Sequence, residues 1–141
     1  MSHRSEPTAP KPVPVVAAIV TSSLGVLISH RLDRNPPWSY ITGAIEPGER
    51  PAAAAVREVA EETGLVVSAG EVIGSRVHPL TGRYLIYVSA EPTRGTEVSV
   101  RAGSGLSAVR WVSLAEAEAL MPPMFPPVLA YLARVLQPHE P

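Results

Sequence analysis

The sequence predicts an α/β fold, because strand-like segments flank one alanine-rich helical segment and an amphipathic helix closes the chain. Residues 13–20 are rich in β-branched and apolar side chains, as a buried strand is. Residues 51–63 are mainly alanine, valine and glutamate, and they follow a Pro47-Gly48 turn. Residues 128–136 carry apolar side chains at helical spacing. Together these segments predict strands on both sides of a central helix.

The N-terminal part is predicted to be an arm followed by three strands. Residues 1–14 carry four prolines and little apolar mass, so we expect an extended, flexible arm over residues 1–12 and a single domain over residues 13–137. A turn at residues 22–25 separates the first two strands, and Asn35-Pro36-Pro37 ends the second. The predicted strands are Val13–Val20, Val26–Leu32 and Trp38–Thr42.

The central helix has a start signal and a stop signal. Pro51 suits the first helical position, where its missing N–H has no partner to lose. Gly64 stands where a left-handed residue ends many helices.

The C-terminal part is predicted to contain further strands and two helices. Ser113 and Glu116 form a capping-box pattern that opens a short helix, which Pro122-Pro123 stops. The segment 91–107 is predicted to be a loop-rich connection with a short strand at 97–101. The other predicted elements are strands at Val66–Ser68 with Val72–His78, at Tyr84–Ala90 and at Val109–Val112, and a helix at Val128–Leu136.

Composition excludes several classes of function. The chain has 141 residues, 45% of them hydrophobic, with a net charge of −1 and no cysteine. A nucleic-acid-binding module is usually strongly basic, and without cysteine there are no disulfides, thiolate metal sites or cysteine nucleophiles. No apolar run approaches 18 residues, and residues 1–14 lack the layout of a signal peptide. We therefore expect a cytoplasmic protein with no nucleic-acid or membrane partner.

Carboxylates cluster on one face of the central helix. At about 3.6 residues per turn, Glu58, Glu61 and Glu62 fall within an arc of roughly 100°, while Ala52, Val56 and Val59 lie on the far side. Like charges four residues apart repel, and hard divalent cations take oxygen ligands. The pattern therefore indicates a metal site. The alternative is a solvated helix in which Arg57 and Glu61 form an ordinary ion pair.

The spacing around this helix resembles a complete family signature. Gly43, five residues, Glu49, seven residues, and then Arg57-Glu58-apolar-x-Glu61-Glu62-x-Gly64-apolar is similar to the box of the Nudix hydrolases. The resemblance implies an α/β/α sandwich around a mixed β-sheet and a Mg²⁺-dependent hydrolase, with Mn²⁺ as a substitute. Family habit also suggests a homodimer.

The resemblance implies roles for individual residues. Glu58 and Glu62 match direct metal ligands, and Glu61 matches a ligand or a water-orienting position. The carbonyl before the box glycine, here that of Thr42, often completes the shell. Relatives commonly carry proline and glycine where this chain has Ile41 and Thr42. Arg57 is expected to orient Glu49 through a charge-assisted hydrogen bond.

The general base and the substrate contacts remain open at this level. Glu61 is the first choice for the base, and Glu91 or Glu97 could serve from the loop. His78, Arg83 and Tyr84 could bind phosphate or stack on a base, or could simply build a hairpin turn around Thr81-Gly82. Trp38 lies where relatives often hold the nucleoside, whereas Trp111 is expected in the core.

The function that follows is hydrolysis of a phosphoanhydride bond in a nucleoside diphosphate linked to another group. A nucleoside triphosphate, damaged or not, is the preferred substrate, giving monophosphate and pyrophosphate. The alternatives are an ADP-ribose or nucleotide-sugar pyrophosphatase, toward which Pro79 is a weak pointer, and a domain that senses a nucleotide without cleaving it.

Overall fold

The computed structural model describes residues 13–136. The expected arm, residues 1–12, and residue 137 at the end of the expected domain lie outside the described residues. The described chain contains seven strands and three helices: β1 (Val15–Ser22), β2 (Gly25–Arg31), β3 (Trp38–Ser39), β4 (Ile41–Ala44), α1 (Pro51–Thr63), β5 (Val67–Val77), β6 (Tyr84–Pro92), β7 (Leu106–Val112), α2 (Leu114–Leu120) and α3 (Pro126–Val135). Within this range no helix is long and apolar enough to cross a membrane.

Strand β1 is the centre of a mixed sheet, as expected. It pairs with β4 in antiparallel and with β6 in parallel orientation, and β5 lies antiparallel beside β6. A tight hairpin at Ser22–Gly25 joins β1 to β2, which in turn pairs with β3 and β7. The β1–β2 pairing covers only the hairpin end, so β2, β3 and β7 form a second arm of the sheet.

The sheet is packed between helices, which confirms the predicted α/β/α sandwich. One core, which we call the α1 core, contains Ala54, Ala55 and Val59 of the first helix. The other, the C-terminal core, contains residues of α2 and α3. Successive residues of β1 point alternately into the two cores, and all from Val15 to Val20 are buried. This explains why β1 is apolar throughout rather than alternating with polar residues.

The local start and stop signals are confirmed. Pro51 begins α1, and Gly64 caps it with a φ of 75°. At α2, Ser113 Oγ accepts a hydrogen bond from the Glu116 N–H at 3.1 Å, and the Glu116 side chain accepts one from the Ser113 N–H. The burial on α1 differs in one detail from the expected far face. Ala52 is only half-buried, and Ala54 and Ala55 are fully buried with Val59.

Three strand predictions need correction. Residues 38–42 are two strands, because the chain passes at Tyr40 from pairing with β2 to pairing with β1. The two pieces expected at 66–68 and 72–78 are one strand, β5, whose register shifts between Ala69 and Gly74. No strand forms at 97–101. Its backbone N–H groups at Ser99 and Arg101 bond to carbonyls at the end of α1 instead of to a sheet.

Candidate active site

Arg57 is the centre of a hydrogen-bond network at the turn before α1 and along its first turns. Its Nε and Nη2 each donate to one carboxylate oxygen of Glu49 at 2.8 Å. Its Nη1 donates to Glu58 at 2.8 Å and to Glu61 at 3.3 Å, and Nη2 also reaches the Ala44 carbonyl at 3.0 Å. The guanidinium holds the pKa of Glu49 down at about 2. The expected Arg57–Glu49 contact is therefore present, and the Arg57–Glu61 pair of the alternative interpretation is one arm of the same network.

Gly43 of β4 provides the space in which the Glu58 carboxylate lies. A Cβ atom at residue 43 would overlap all three atoms of that carboxylate. Burial raises the pKa of Glu58, and the hydrogen bond from Arg57 works in the opposite direction. The glycine of the box is thus required for close approach, and it places an acidic side chain against the end of β4.

Glu62 is the acid of the cluster that is least compensated by its neighbours. Its Oε2 is buried and has no hydrogen-bond partner. Burial, together with the Glu58 carboxylate, raises the pKa of Glu62 to about 8. An unpaired buried carboxylate is expensive to ionise. A divalent cation would compensate that cost directly, so this oxygen fits a metal ligand.

The cluster must still rearrange to surround an ion. Within residues 13–136 no three acidic, histidine or cysteine side chains are arranged to hold a metal as they stand. Arg57 donates hydrogen bonds to one oxygen of Glu58 and one of Glu61. Their carboxylates would have to turn toward Glu62. The donor set consists of carboxylate oxygens, which suits Mg²⁺ and Mn²⁺.

Thr42 precedes Gly43 in β4 and pairs with Ala17 of β1. Among the non-glycine residues 13–136, only Arg34 has a positive φ. Thr42 therefore occupies ordinary strand backbone, and its β-branched side chain imposes no strain where relatives have glycine.

Arg31 lies beside the cluster and was missed by the sequence analysis. Two of its guanidinium nitrogens donate to the two oxygens of Asp33 at 3.0 Å. Its charge opposes the rise in the pKa of Glu62. Only tertiary structure brings it there, since Arg31 ends β2 and is thirty-one positions from Glu62 in the chain. No local sequence signal marks it.

Trp38 lies in β3, next to the C-terminal core. Its ring meets His30 edge-on with centroids 4.8 Å apart, and the Arg110 guanidinium lies 4.8 Å from its centroid. The ring is half-buried. Because His30 pairs with Trp38 across the strands, these two side chains share one face of the sheet, and Arg31, the next residue of β2, points to the other face.

The other three expected substrate residues form hydrogen bonds within the β5–β6 hairpin or to Val13, just before β1. His78 Nδ1 accepts from the N–H groups of Leu80 and Thr81. Arg83 reaches the Val13 carbonyl at 3.4 Å, and Tyr84 donates to Ser75 Oγ at 3.0 Å. Strand β1 stands between β6 and β4, so the hairpin is about 10 Å from the strand of Gly43. The structure does not bring these side chains to the carboxylate cluster.

The loop acids also lie apart from the cluster. Glu91 lines a cavity of about 960 Å³ at the hairpin end of β1, together with Thr21 to Gly25. Glu97 is exposed near Gly64. Trp111 is half-buried against the α1 core, as expected, and its Nε1 donates to the Thr96 carbonyl at 2.9 Å.

The NUDIX domain model matches residues 11–134 of this chain. The chain belongs to the Nudix family. A MutT-like protein from Streptomyces ambofaciens is 32% identical over 114 residues, which cover 80% of this chain and 72% of that protein. A CTP pyrophosphohydrolase from Escherichia coli is 33% identical over 78 residues, or 53% of this chain and 58% of that protein.

Solved structures of Nudix-type proteins share the fold. The E. coli ORF135 protein has a TM-score of 0.66 at 26% identity, with 92% of this chain and 96% of that chain covered. An ADP-ribose pyrophosphatase from Streptococcus suis matches with 0.66 at 19% identity over 92% and 96% of the two chains. A Caenorhabditis elegans Ap4A hydrolase matches with 0.68 at 17% identity over 85% and 93%. At these identities the last two show the fold alone.

The Nudix family consists of hydrolases of nucleoside diphosphate derivatives, and its enzymes generally need a divalent metal. The chain is accordingly a Nudix-type pyrophosphohydrolase. In this structure the glutamates of the box, Glu58, Glu61 and Glu62, cluster behind Gly43.

Proposed function

We propose that this Nudix hydrolase is a Mg²⁺-dependent enzyme that converts a nucleoside triphosphate, including oxidised or otherwise damaged ones, to the monophosphate and pyrophosphate. The observation that carries the proposal is the buried, unpartnered Oε2 of Glu62 beside Glu58. Two acids in such surroundings repel each other, and a cation that also binds phosphate oxygens relieves the repulsion. The name of the CTP pyrophosphohydrolase relative supports a triphosphate as substrate.

Glu58, Glu62 and the Thr42 carbonyl would hold the metal. When bound, Mg²⁺ would screen the phosphate oxygens and lower the pKa of the attacking water. The guanidinium of Arg57 holds the Glu49 carboxylate through two hydrogen bonds and also bonds to the Ala44 carbonyl, so it fixes the turn before α1. Arg31, already oriented by Asp33, presents a guanidinium beside Glu62, which suits a phosphate oxygen.

Glu61 is the proposed general base. Its side chain is 59% exposed and its hydrogen bond to Arg57 is the longest of the three carboxylate contacts in that network. It can therefore turn to take a proton from water while the water oxygen bonds to phosphorus and the anhydride oxygen leaves with pyrophosphate. Residues 98–105, which lie beside Glu62, contain no acid, and Glu97, the alternative base just before them, is exposed near Gly64.

Trp38 is the proposed contact for the nucleoside, since its ring is only half-buried and aromatic rings stack on bases. His78, Arg83 and Tyr84 are left out of the proposal because their polar groups already form hydrogen bonds, those of His78 and Tyr84 within the hairpin and that of Arg83 to the Val13 carbonyl.

A substrate panel tests the proposal. The protein would be incubated with nucleoside triphosphates, 8-oxidised triphosphates, ADP-ribose and nucleotide sugars in Mg²⁺ or Mn²⁺, with products identified by chromatography. Monophosphate and pyrophosphate from a triphosphate is the expected result. Preferential cleavage of ADP-ribose or a nucleotide sugar would replace the substrate assignment. Tight nucleotide binding without any product would favour the sensor.

A further inference from the structure

A segment after β6 ties the end of α1 to the second arm of the sheet. We call it the strap and define it as residues 96–105. In its middle, the N–H of Ser99 donates to the Thr63 carbonyl and the N–H of Arg101 to the Glu62 carbonyl, both at 3.1 Å. The last carbonyls of a helix have no partner within it. The strap therefore supplies partners for two of them, and one belongs to Glu62.

Both ends of the strap are fixed to strands. At the first end, the Trp111 indole of β7 donates to the Thr96 carbonyl at 2.9 Å. At the other end, the Leu32 N–H, just after β2, donates to the Gly105 carbonyl at 3.0 Å. These contacts explain the half-buried position of Trp111. They also make a continuous connection from the sheet to the helix end that carries Glu62.

The Arg101 side chain closes the connection on the helix itself. Its guanidinium lies over Gly64, so close that a Cβ atom there would overlap it. Gly64 has a φ of 75°, where side chains are rarely tolerated. A positive charge at a helix C-terminus is favourable because of the partial negative charge on the free carbonyls. Arg101 is exposed. Its guanidinium is therefore placed by the contact with Gly64 at the helix end and not by burial.

We infer that Arg101 is a positioning residue for the metal ligands, acting through the strap on the backbone of Glu62. Ligand atoms must sit within roughly 0.2 Å of their ideal distances to hold a metal well. The Glu62 side chain has no hydrogen bond of its own at Oε2 to set its place. The position of the Glu62 carboxylate therefore depends on the Glu62 backbone, whose carbonyl accepts a hydrogen bond from the strap. The inference rests on the proposed metal-dependent function.

Direct metal binding tests the inference on the full chain without substrate. Mn²⁺ affinity would be measured by electron paramagnetic resonance for wild type, Arg101→Ala and Arg101→Lys. Arg134→Ala is the matched control, because that arginine is exposed on α3, where it lies 3.8 Å from exposed Glu71 and 5.6 Å from the centroid of the Tyr131 ring. A second variant, Trp111→Phe, keeps an aromatic ring at this position and removes the indole N–H that donates to the Thr96 carbonyl.

The expected result is a dissociation constant for Mn²⁺ about two- to fivefold higher in Arg101→Ala, because a less firmly held Glu62 backbone presents its carboxylate less precisely to the ion. Arg101→Lys should recover most of the loss, and Trp111→Phe should move in the same direction as Arg101→Ala. Turnover at saturating metal should stay within twofold, since no ligand is removed. Amide exchange at Ser99 and Arg101 should quicken in Arg101→Ala.

Two results would overturn the inference alone. One is wild-type Mn²⁺ affinity in Arg101→Ala, and the other is an equal loss in Arg134→Ala. A fall in turnover at saturating metal with unchanged Mn²⁺ affinity would equally contradict a positioning role. Absence of Mn²⁺ binding by the wild type would instead overturn the proposed function and this inference with it.

Discussion

Replacing Glu62 by glutamine tests two things separately: how much the buried carboxylate lowers the stability of the metal-free fold, and whether Glu62 binds the metal. In the metal-free protein, burial and the Glu58 carboxylate raise the pKa of Glu62 from 4.5 to about 8. The folded state therefore holds a proton that the unfolded chain has already released once the pH exceeds 4.5. Stability is fully present below pH 4.5 and is lost as the pH rises toward about 8. Glutamine has no proton to lose, so the variant should escape this loss.

The size of the effect follows from linkage. Each pH unit between 4.5 and about 8 can lower the free energy of unfolding by up to about 1.4 kcal/mol. Glu62 is only partly shielded from water, and solvent screening reduces such values. We therefore expect a total of about 2 kcal/mol. For a domain of this size that corresponds to about 8 °C in Tm.

The assay is thermal unfolding followed by circular dichroism in EDTA, from pH 5 to pH 9. The Tm of Glu62→Gln minus that of wild type should grow between pH 5 and 8 and then level off. Glu118→Gln, an exposed glutamate of α2, should show no such growth. Adding Mg²⁺ at pH 8 should raise the Tm of wild type and not of Glu62→Gln, because only a ligand that binds the folded state stabilises it. A Tm difference that stays constant from pH 5 to pH 9 would refute the reasoning.

Four further predictions follow from single contacts. Glu58→Gln should lower turnover by at least about a hundredfold under saturating Mg²⁺, and steady-state kinetics would show it; full activity would remove Glu58 from the metal site. Gly43→Ala should destabilise by about 1–3 kcal/mol, measured in urea, because its Cβ meets the Glu58 carboxylate. Tyr40→Phe should be about 1 kcal/mol more stable at pH 7, since the buried hydroxyl has no partner. Burial raises the pKa of Tyr40, so the wild-type fold should lose stability as the pH rises above 10, and the phenylalanine variant should lose less. Ser113→Ala should lower stability by about 1 kcal/mol through loss of the capping box, while activity stays at the wild-type level.

The parts of the fold that depend on local chemistry were predictable from the sequence. Pro51, Gly64 and the Ser113 cap work through their own and neighbouring backbone groups, so the helix ends were found almost to the residue. The contact of Arg57 with Glu49 could also be expected, because the turn of Pro47-Gly48 brings the two together over a short distance in the chain.

The parts that depend on tertiary neighbours were not predictable in the same way. Val98 and Val100 give residues 97–101 the alternating pattern of a strand. The segment nevertheless pairs with no strand, and its N–H groups bond to carbonyls at the end of α1. The chain at Tyr40 changes partner strand with no break in composition. Arg31 reaches the cluster only because β2 leaves β1 after the hairpin. None of these is visible without the packing of distant segments.

The arrangement of charges suggests an order in which a metal would enter. Glu49, Glu58 and Glu61 all bond to one guanidinium, that of Arg57, so a single positive charge already compensates part of their repulsion. Glu62 shares none of those bonds and keeps an oxygen unpaired. A divalent ion would gain most by binding Glu62 first, because there it would displace only the proton that this carboxyl holds below about pH 8 and no contact with Arg57. Glu58 would bind the ion only by giving up its hydrogen bond from Arg57, which would leave that guanidinium bonded to Glu49 and Glu61. Arg57 would therefore neutralise part of the carboxylate charge in the metal-free state, and its hydrogen bond to Glu58 would break when the metal binds.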